Sequence, residues 1–300
     1  MANNTVIRTT ERGAVPAQAV SWKDRFLRLQ RSTYIINYLI LIPIALVMLV
    51  PFLWMLSTSF KPPAETISLV PKLLPSAPTL NNYISAFTRA NIGRLYLNTA
   101  FLSVVQTILA IYTSALLGFI FAKYRFWGRD LIFIILLSTM IIPFEVYMIP
   151  LYVMMVQAKL GNTYMAIILP SIFSAYAMFL FRQFMHSIPN DLLDAARIDG
   201  AGDFYVFHKI VVPLSIPVLA TLTSFYFMWN WNEFLWPLIV LTESEKYVLP
   251  VGLATFVSDV RNEFGLMMAA ASLAIIPVLV VFVAAQKYII EGIAITGIKG

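Results

Sequence analysis

The chain has 300 residues, 60% of them hydrophobic and only 12% charged, with a net charge of +6 and no cysteine. Soluble domains carry about 25% charged residues, so an ordinary soluble enzyme is excluded. The missing cysteines exclude disulfides, thiolate metal sites and cysteine nucleophiles. The apolar residues stand in blocks of about 20 or more, which at about 1.5 Å per residue cross a hydrocarbon core of about 30 Å. These blocks are too continuous for the period-2 pattern of a membrane barrel. The predicted fold class is an all-α polytopic membrane protein with six transmembrane helices.

In chain order, residues 1–34 lack helical periodicity and are predicted to form a mobile cytoplasmic segment, leaving 35–300 as a single membrane domain without internal repeat. The first span, Ile35–Ser59, is too long for a signal-peptide core and reads as an anchor that stays. Lys61–Tyr96 is rich in proline and is expected to be extended or turning. The remaining spans are Leu97–Ala122, Leu131–Val156, Tyr164–Phe184, Val212–Leu241 and Leu266–Ile290. Between the last two, Thr242–Gly265 mixes charge with short apolar runs and is expected along the membrane surface. Of the 21 basic residues, 14 fall on the side of the two termini, the second-to-third loop and the fourth-to-fifth loop. That excess places both termini and the 190–211 interlude in the cytoplasm. The basic residues flank spans rather than forming a stripe, which argues against a nucleic-acid partner.

Catalytic and metal-binding chemistry is missing from the sequence. "GIAITGIKG" has glycines at 292 and 297, but Ile298 stands where a phosphate-binding loop needs lysine. "GAGDFY" has Tyr205 in place of the third glycine of a dinucleotide loop. His186 and His208 are the only histidines; their spacing fits no zinc motif, and both lie at the cytoplasmic boundary. A nucleophile–His–Asp site inside the membrane would need a histidine at depth. No catalytic residue and no metal site are predicted.

The interlude "DLLDAARIDGAGDFYVFHKIVVPLSIP" interrupts two apolar runs. Asn190 or Asp191 can cap a short helix on which Ala195 and Ala196 leave one face open to close approach. Gly200 and Gly202 end it, because glycine accepts positive φ at little strain. Asp203 can cap a second short helix carrying Phe204, Phe207 and Ile210, and Pro213 and Pro217 open the fifth span. The pattern is a helix–glycine turn–helix hairpin joined rigidly to two spans.

Residues 194–217 resemble the EAA motif of ABC importer permeases. The matching positions are Asp194, Ala195, Ala196, Asp199, Gly200, Ala201, Phe207, Ile210, Pro213 and Pro217. Two positions depart from it: Asp194 stands for glutamate and Val212 for leucine. "PFLWMLSTSFKPPAE", "TLNNYISAF" and the terminal "ITGIKG" are similar to the carbohydrate-importing branch, in its smaller six-span type. The resemblance implies the type I permease fold and a place in a bacterial inner (plasma) membrane. It implies a second homologous permease, two cytoplasmic ATPase subunits that bind ATP and magnesium, an extracytoplasmic solute-binding protein and a sugar substrate. This chain would bind no cofactor of its own. The hairpin, Gly202 included, would be the coupling helix seated in one ATPase subunit, with Asp194 facing an arginine there.

"FMWNWNEFLWP" is polar inside the fifth span. Asn230, Trp231, Asn232 and Glu233 form a candidate substrate pathway, with tryptophan stacking on sugar rings and amides bonding hydroxyls. Helix–helix hydrogen bonding with interfacial tryptophans explains the same residues equally well. Glu145 reads as a rim residue, and Asn98 and Gln106 on the second span favour neither role. Glycerol-3-phosphate remains an alternative cargo, although the spans offer almost no basic residues for it. An ion-coupled secondary carrier, using Glu145 or Glu233, is the alternative from another class.

Overall fold

The computed structural model describes residues 22–66, 72–89, 91–259 and 263–297. Residues 1–21 of the expected mobile segment and Lys299 of the terminal motif lie outside these. The chain divides into a unit ending at Leu53 and a unit beginning at Trp54. Among the described residues every regular element is helical.

Helix α1 (Trp22–Ser59) begins ahead of the expected edge at Ile35, so the stretch from Trp22 is helical rather than aperiodic. Its side chains from Asn37 to Leu53 are all exposed. Pro43 and Pro51 lie inside it, as transmembrane helices tolerate. Two short helices follow, α2 (Pro63–Thr66) and α3 (Asn81–Arg89). The proline-rich loop is therefore only partly extended: "NNYISAFTR" is an amphipathic helix with Asn82 and Ala86 buried. Asn82 explains its position, since its amide donates to the Ser59 and Lys61 carbonyls at 2.8 Å each and stitches α3 to the end of α1.

Helix α4 (Ile92–Lys123) is the central span, and α5 (Arg129–Ser138) and α6 (Phe144–Gln157) follow. The third span is bent: α5 with its 3₁₀ end and α6 meet at 101°. The cause is Pro143. A residue before proline is driven from the α region, and Ile142 is extended at ψ 114°. The fourth span is also broken. Helix α7 (Met165–Ile168) and a 3₁₀ turn lead through an extended Ser174 into α8 (Ala175–His186). The interlude forms α9 (Asn190–Ile198) and α10 (Asp203–Val206), then a π turn over Phe207–Val211 and one turn, α11 (Val212–Leu214). The chain bends by 82° at Ser215 into α12 (Ile216–Trp231), three residues into the expected fifth span. After a break at Asn232–Phe234 come α13 (Leu235–Val240), α14 (Leu249–Asp259) and α15 (Phe264–Gly297). Among the described residues four helices are long and apolar enough to cross a membrane, or up to six if each bent pair is one span.

The second unit packs around α4. A Cβ on Gly118 would lie 2.6 Å from the Phe181 Cβ and 3.0 Å from the Arg182 backbone nitrogen, so α4 and α8 touch backbone to backbone there. One apolar cluster joins Phe119, Phe181, Met185, Leu193, Phe207 and Leu222 at the hairpin end. Another joins Leu102, Ile167, Trp236, Val240 and Val251 at the far end. Within the Thr242–Gly265 segment, α14 packs on the protein: Leu249, Val251 and Phe256 are buried, and Gly252 presses against Leu95 of α4.

Candidate functional site: the hairpin and the polar stretch

In α9 the buried side chain is Leu193, only 1% exposed, which sinks into the apolar cluster beside Phe181 and Phe207. Every other α9 residue except half-buried Ala196 faces outward, including Leu192, Asp194, Ala195 and Ile198, the last 85% exposed. Four α9 residues thus form an outward face of two apolar side chains, an alanine and a carboxylate. Phe204 and Tyr205 of α10 are exposed as well. Gly200 ends the helix at φ +86°, and its amide donates to the Arg197 carbonyl at 3.0 Å. Gly202 has an ordinary φ of −73° and caps α10, a place expected for Asp203. The cap of α9 is likewise Pro189, not Asn190 or Asp191, which are already in the helix. Ala201 donates its amide to Ala196 and packs on the cluster with Ile210. Phe207 is buried. Pro213 lies in α11 before the bend and Pro217 just after it.

The hairpin is held by an arginine that stands in the sequence as no more than one charge among many. Arg197 donates to Asp194 and Asp203 at 3.2 Å each and to the Tyr124 hydroxyl at 3.1 Å. Its guanidinium stands 5.5 Å from the Tyr124 ring centroid. Asp194 is therefore engaged within the chain. The Tyr124 hydroxyl and Arg197 hold the Asp203 carboxyl below its usual range, and burial pushes the Tyr124 hydroxyl up. Lys123 donates to the Ile188 carbonyl and to Asn190 Oδ1 at the start of α9. A usable signal was present: Asp194, Arg197 and Asp203 are spaced three and six apart around a glycine turn, so one guanidinium can reach both carboxylates.

The four polar-stretch residues have different surroundings. Asn230 donates to Thr107 of α4 at 3.1 Å. Trp231 is 3% exposed and packs between Phe227 and Tyr96, with centroids 5.7 and 5.8 Å away. Asn232 is exposed and donates to the Met228 carbonyl at 2.7 Å. Glu233 is half-buried and faces Gln106, which donates to Ser171 at 3.1 Å. Thr113 donates to the Ile172 carbonyl, and Ser114 to the Ser174 carbonyl. Polar residues of α4 thus satisfy backbone freed where the fourth span breaks, which water cannot do in lipid. Asn98 bonds the Glu245 and Tyr247 carbonyls at 2.9 Å each. Among the described residues no group of three metal-ligating side chains converges.

Residues 114–294, the hairpin included, match the family described as binding-protein-dependent transport system inner membrane component. The chain is 37% identical over 260 residues to the arabinooligosaccharides transport system permease protein AraQ of Halalkalibacterium halodurans, covering 86% of this chain and 93% of that one. It is 33% identical to the lactose transport system permease protein LacG of Rhizobium radiobacter, covering 88% and 96%. Its fold is similar to a chain in the crystal structure of a bacterial ABC transporter involved in the import of the acidic polysaccharide alginate. There the TM-score is 0.78 at 27% identity, with 87% and 98% covered.

Proposed function

The chain belongs to the binding-protein-dependent transport system inner membrane components, and from that premise we propose that it forms half of the pathway of an ATP-driven sugar importer. It is a transport subunit of an ABC importer, not an enzyme. The sugar cargo rests on the names of its relatives, which carry arabinooligosaccharides and lactose. Family membership favours ATP over an ion gradient as the energy source, and the oligosaccharide relatives disfavour glycerol-3-phosphate. ATP and magnesium belong to two cytoplasmic ATPase subunits; a second, homologous permease completes the pathway, and an extracytoplasmic binding protein delivers the sugar. Both termini and the hairpin face the cytoplasm.

The observation that carries this reading is the outward face of α9. An apolar, charged and small-residue surface, fixed from beneath by Leu193, suits a protein cleft better than water. ATP closes the ATPase pair, the seated hairpins move, and stiff spans convert that displacement into opening on the other side. In the polar stretch, Asn232 and Glu233 are the residues proposed to meet cargo, whereas Asn230 and Trp231 hold α12 against α4.

The test is Ile198→Asp in the complete transporter. A charge set into an apolar contact is expected to weaken ATPase retention during purification by tenfold or more, equivalent to about 1.4 kcal/mol or more. Wild-type retention would sink the coupling assignment. Cargo is read separately, by titrating the cognate binding protein with arabinotriose, lactose, melibiose and diacetylchitobiose. Binding of none of them, with tight binding of glycerol-3-phosphate, would reverse the sugar reading.

A further inference from the structure

Covalently, the hairpin belongs to the fourth and fifth spans alone, since α9 follows α8 and α10 leads into α12. Yet the second span grips it at both ends. Lys123, in the last turn of α4, donates to the Ile188 carbonyl and to Asn190 Oδ1 at 3.0 Å, at the start of α9. Tyr124, the C-cap of α4, accepts from Arg197 at 3.1 Å, near the end of α9. The Tyr124 ring stands edge-on to Phe119, with centroids 5.4 Å apart, and so is itself fixed. Two attachments set an angle, where one sets only a position. Beyond these attachments the hairpin rests on the apolar cluster through Leu193 and Phe207, and its chain turns at Gly200, at φ +86°, and at a π turn and an 82° bend between α10 and α12.

We propose that Lys123, Tyr124 and Arg197 are positioning residues that clamp α9 to the second span. Force applied to the hairpin then turns α4 and α8 as one body instead of pivoting α9 about its glycine turn. The proposal rests on the coupling role given above and deepens it. Its consequence reaches the pathway, because the same α4 presents Gln106 and Thr107 to Glu233 and Asn230. A tilt of α4 that the clamp imposes changes what those residues face.

The absence of native cysteine permits a direct test in the complete transporter with cysteine-free partners. Nitroxide labels are placed singly at Leu97→Cys on α4 and Trp229→Cys on α12, whose side chains are 73% and 75% exposed in this chain and so are not part of its own packing. The probe is a non-hydrolysable ATP analogue with magnesium. In the otherwise unaltered chain both spectra are expected to change on adding it. With Lys123→Met and Tyr124→Phe combined, the Leu97 response is expected to be lost and the Trp229 response kept, while the ATPase still copurifies. Lys123→Arg, which keeps the donor, is expected to retain both. An unchanged Leu97 response in the double variant overturns the clamp and leaves the coupling role standing. Absence of both responses in the unaltered chain overturns the coupling role and the clamp with it. Arg197→Gln is the second route to the same result should the double variant assemble poorly.

Discussion

Two glycines separate the two reasons a residue can be irreplaceable. Gly118 lies in a helix where any residue adopts the backbone angles, but a Cβ there meets the Phe181 Cβ at 2.6 Å. Gly200 has open space around its Cβ position, but its φ is +86°, which strains side-chain-bearing residues. Gly118→Ala is therefore expected to lower the stability of the solubilised subunit by about 1–3 kcal/mol, the usual range for overpacking. Gly200→Val is expected to cost about 1 kcal/mol or more, confined to the hairpin, and so to loosen the ATPase without shifting global unfolding. Gly93→Ala, in the same helix with nothing within 4 Å, is the clash-free control, expected to be unchanged or stabilised by up to about 1 kcal/mol. Thermal unfolding in detergent, alongside ATPase retention, distinguishes them; equal melting of all three would refute the packing argument.

At the scale of elements, the far end depends on broken helices stitched together by side chains. Trp236 of α13 is 2% exposed and donates its indole N–H to the Ala166 carbonyl of α7 at 3.0 Å. Its ring stands edge-on to Phe144 of α6, 5.8 Å between centroids. One side chain thus ties α6, α7 and α13, each next to a break. Trp236→Phe keeps an aromatic ring but leaves a buried carbonyl without its donor. The expected loss is about 1 kcal/mol, at the low end of the range for an unmade buried hydrogen bond because intramembrane bonds are individually weak. Denaturant unfolding of the purified subunit measures it, and a loss below experimental error would show that the ring alone does the tying.

For the whole molecule, charge sets orientation. Fourteen of 21 basic residues lie in the segments assigned from the sequence to the hairpin's side, and by the positive-inside rule that side is the one proposed to be cytoplasmic. A cysteine at Ala64, exposed in α2, is expected to react with an impermeant maleimide in intact cells. A cysteine at Ile198 is expected to react only after permeabilisation, or when the ATPase is stripped away. The opposite pattern would invert the topology, and with it the coupling role of the hairpin.

What the sequence determined by itself was the helical membrane class and the hairpin of 190–211 with its positive-φ Gly200. It also carried the family, because the motif of Asp194–Pro217 is contiguous. These are local or compositional properties: hydrophobic length, glycine's backbone freedom and the spacing of a short motif are complete within a few turns of chain. The tertiary structure decided what depends on residues far apart in sequence. It bent the third span at Pro143, set α14 against Leu95, and buried Trp231 between Phe227 and Tyr96. It also gave Asp194 a partner in Arg197 and joined both to Tyr124, 73 residues from Arg197 along the chain. Polarity at depth announces only that a group needs a partner. Whether that partner is Thr107, a broken backbone or a sugar is settled by which helices pack together.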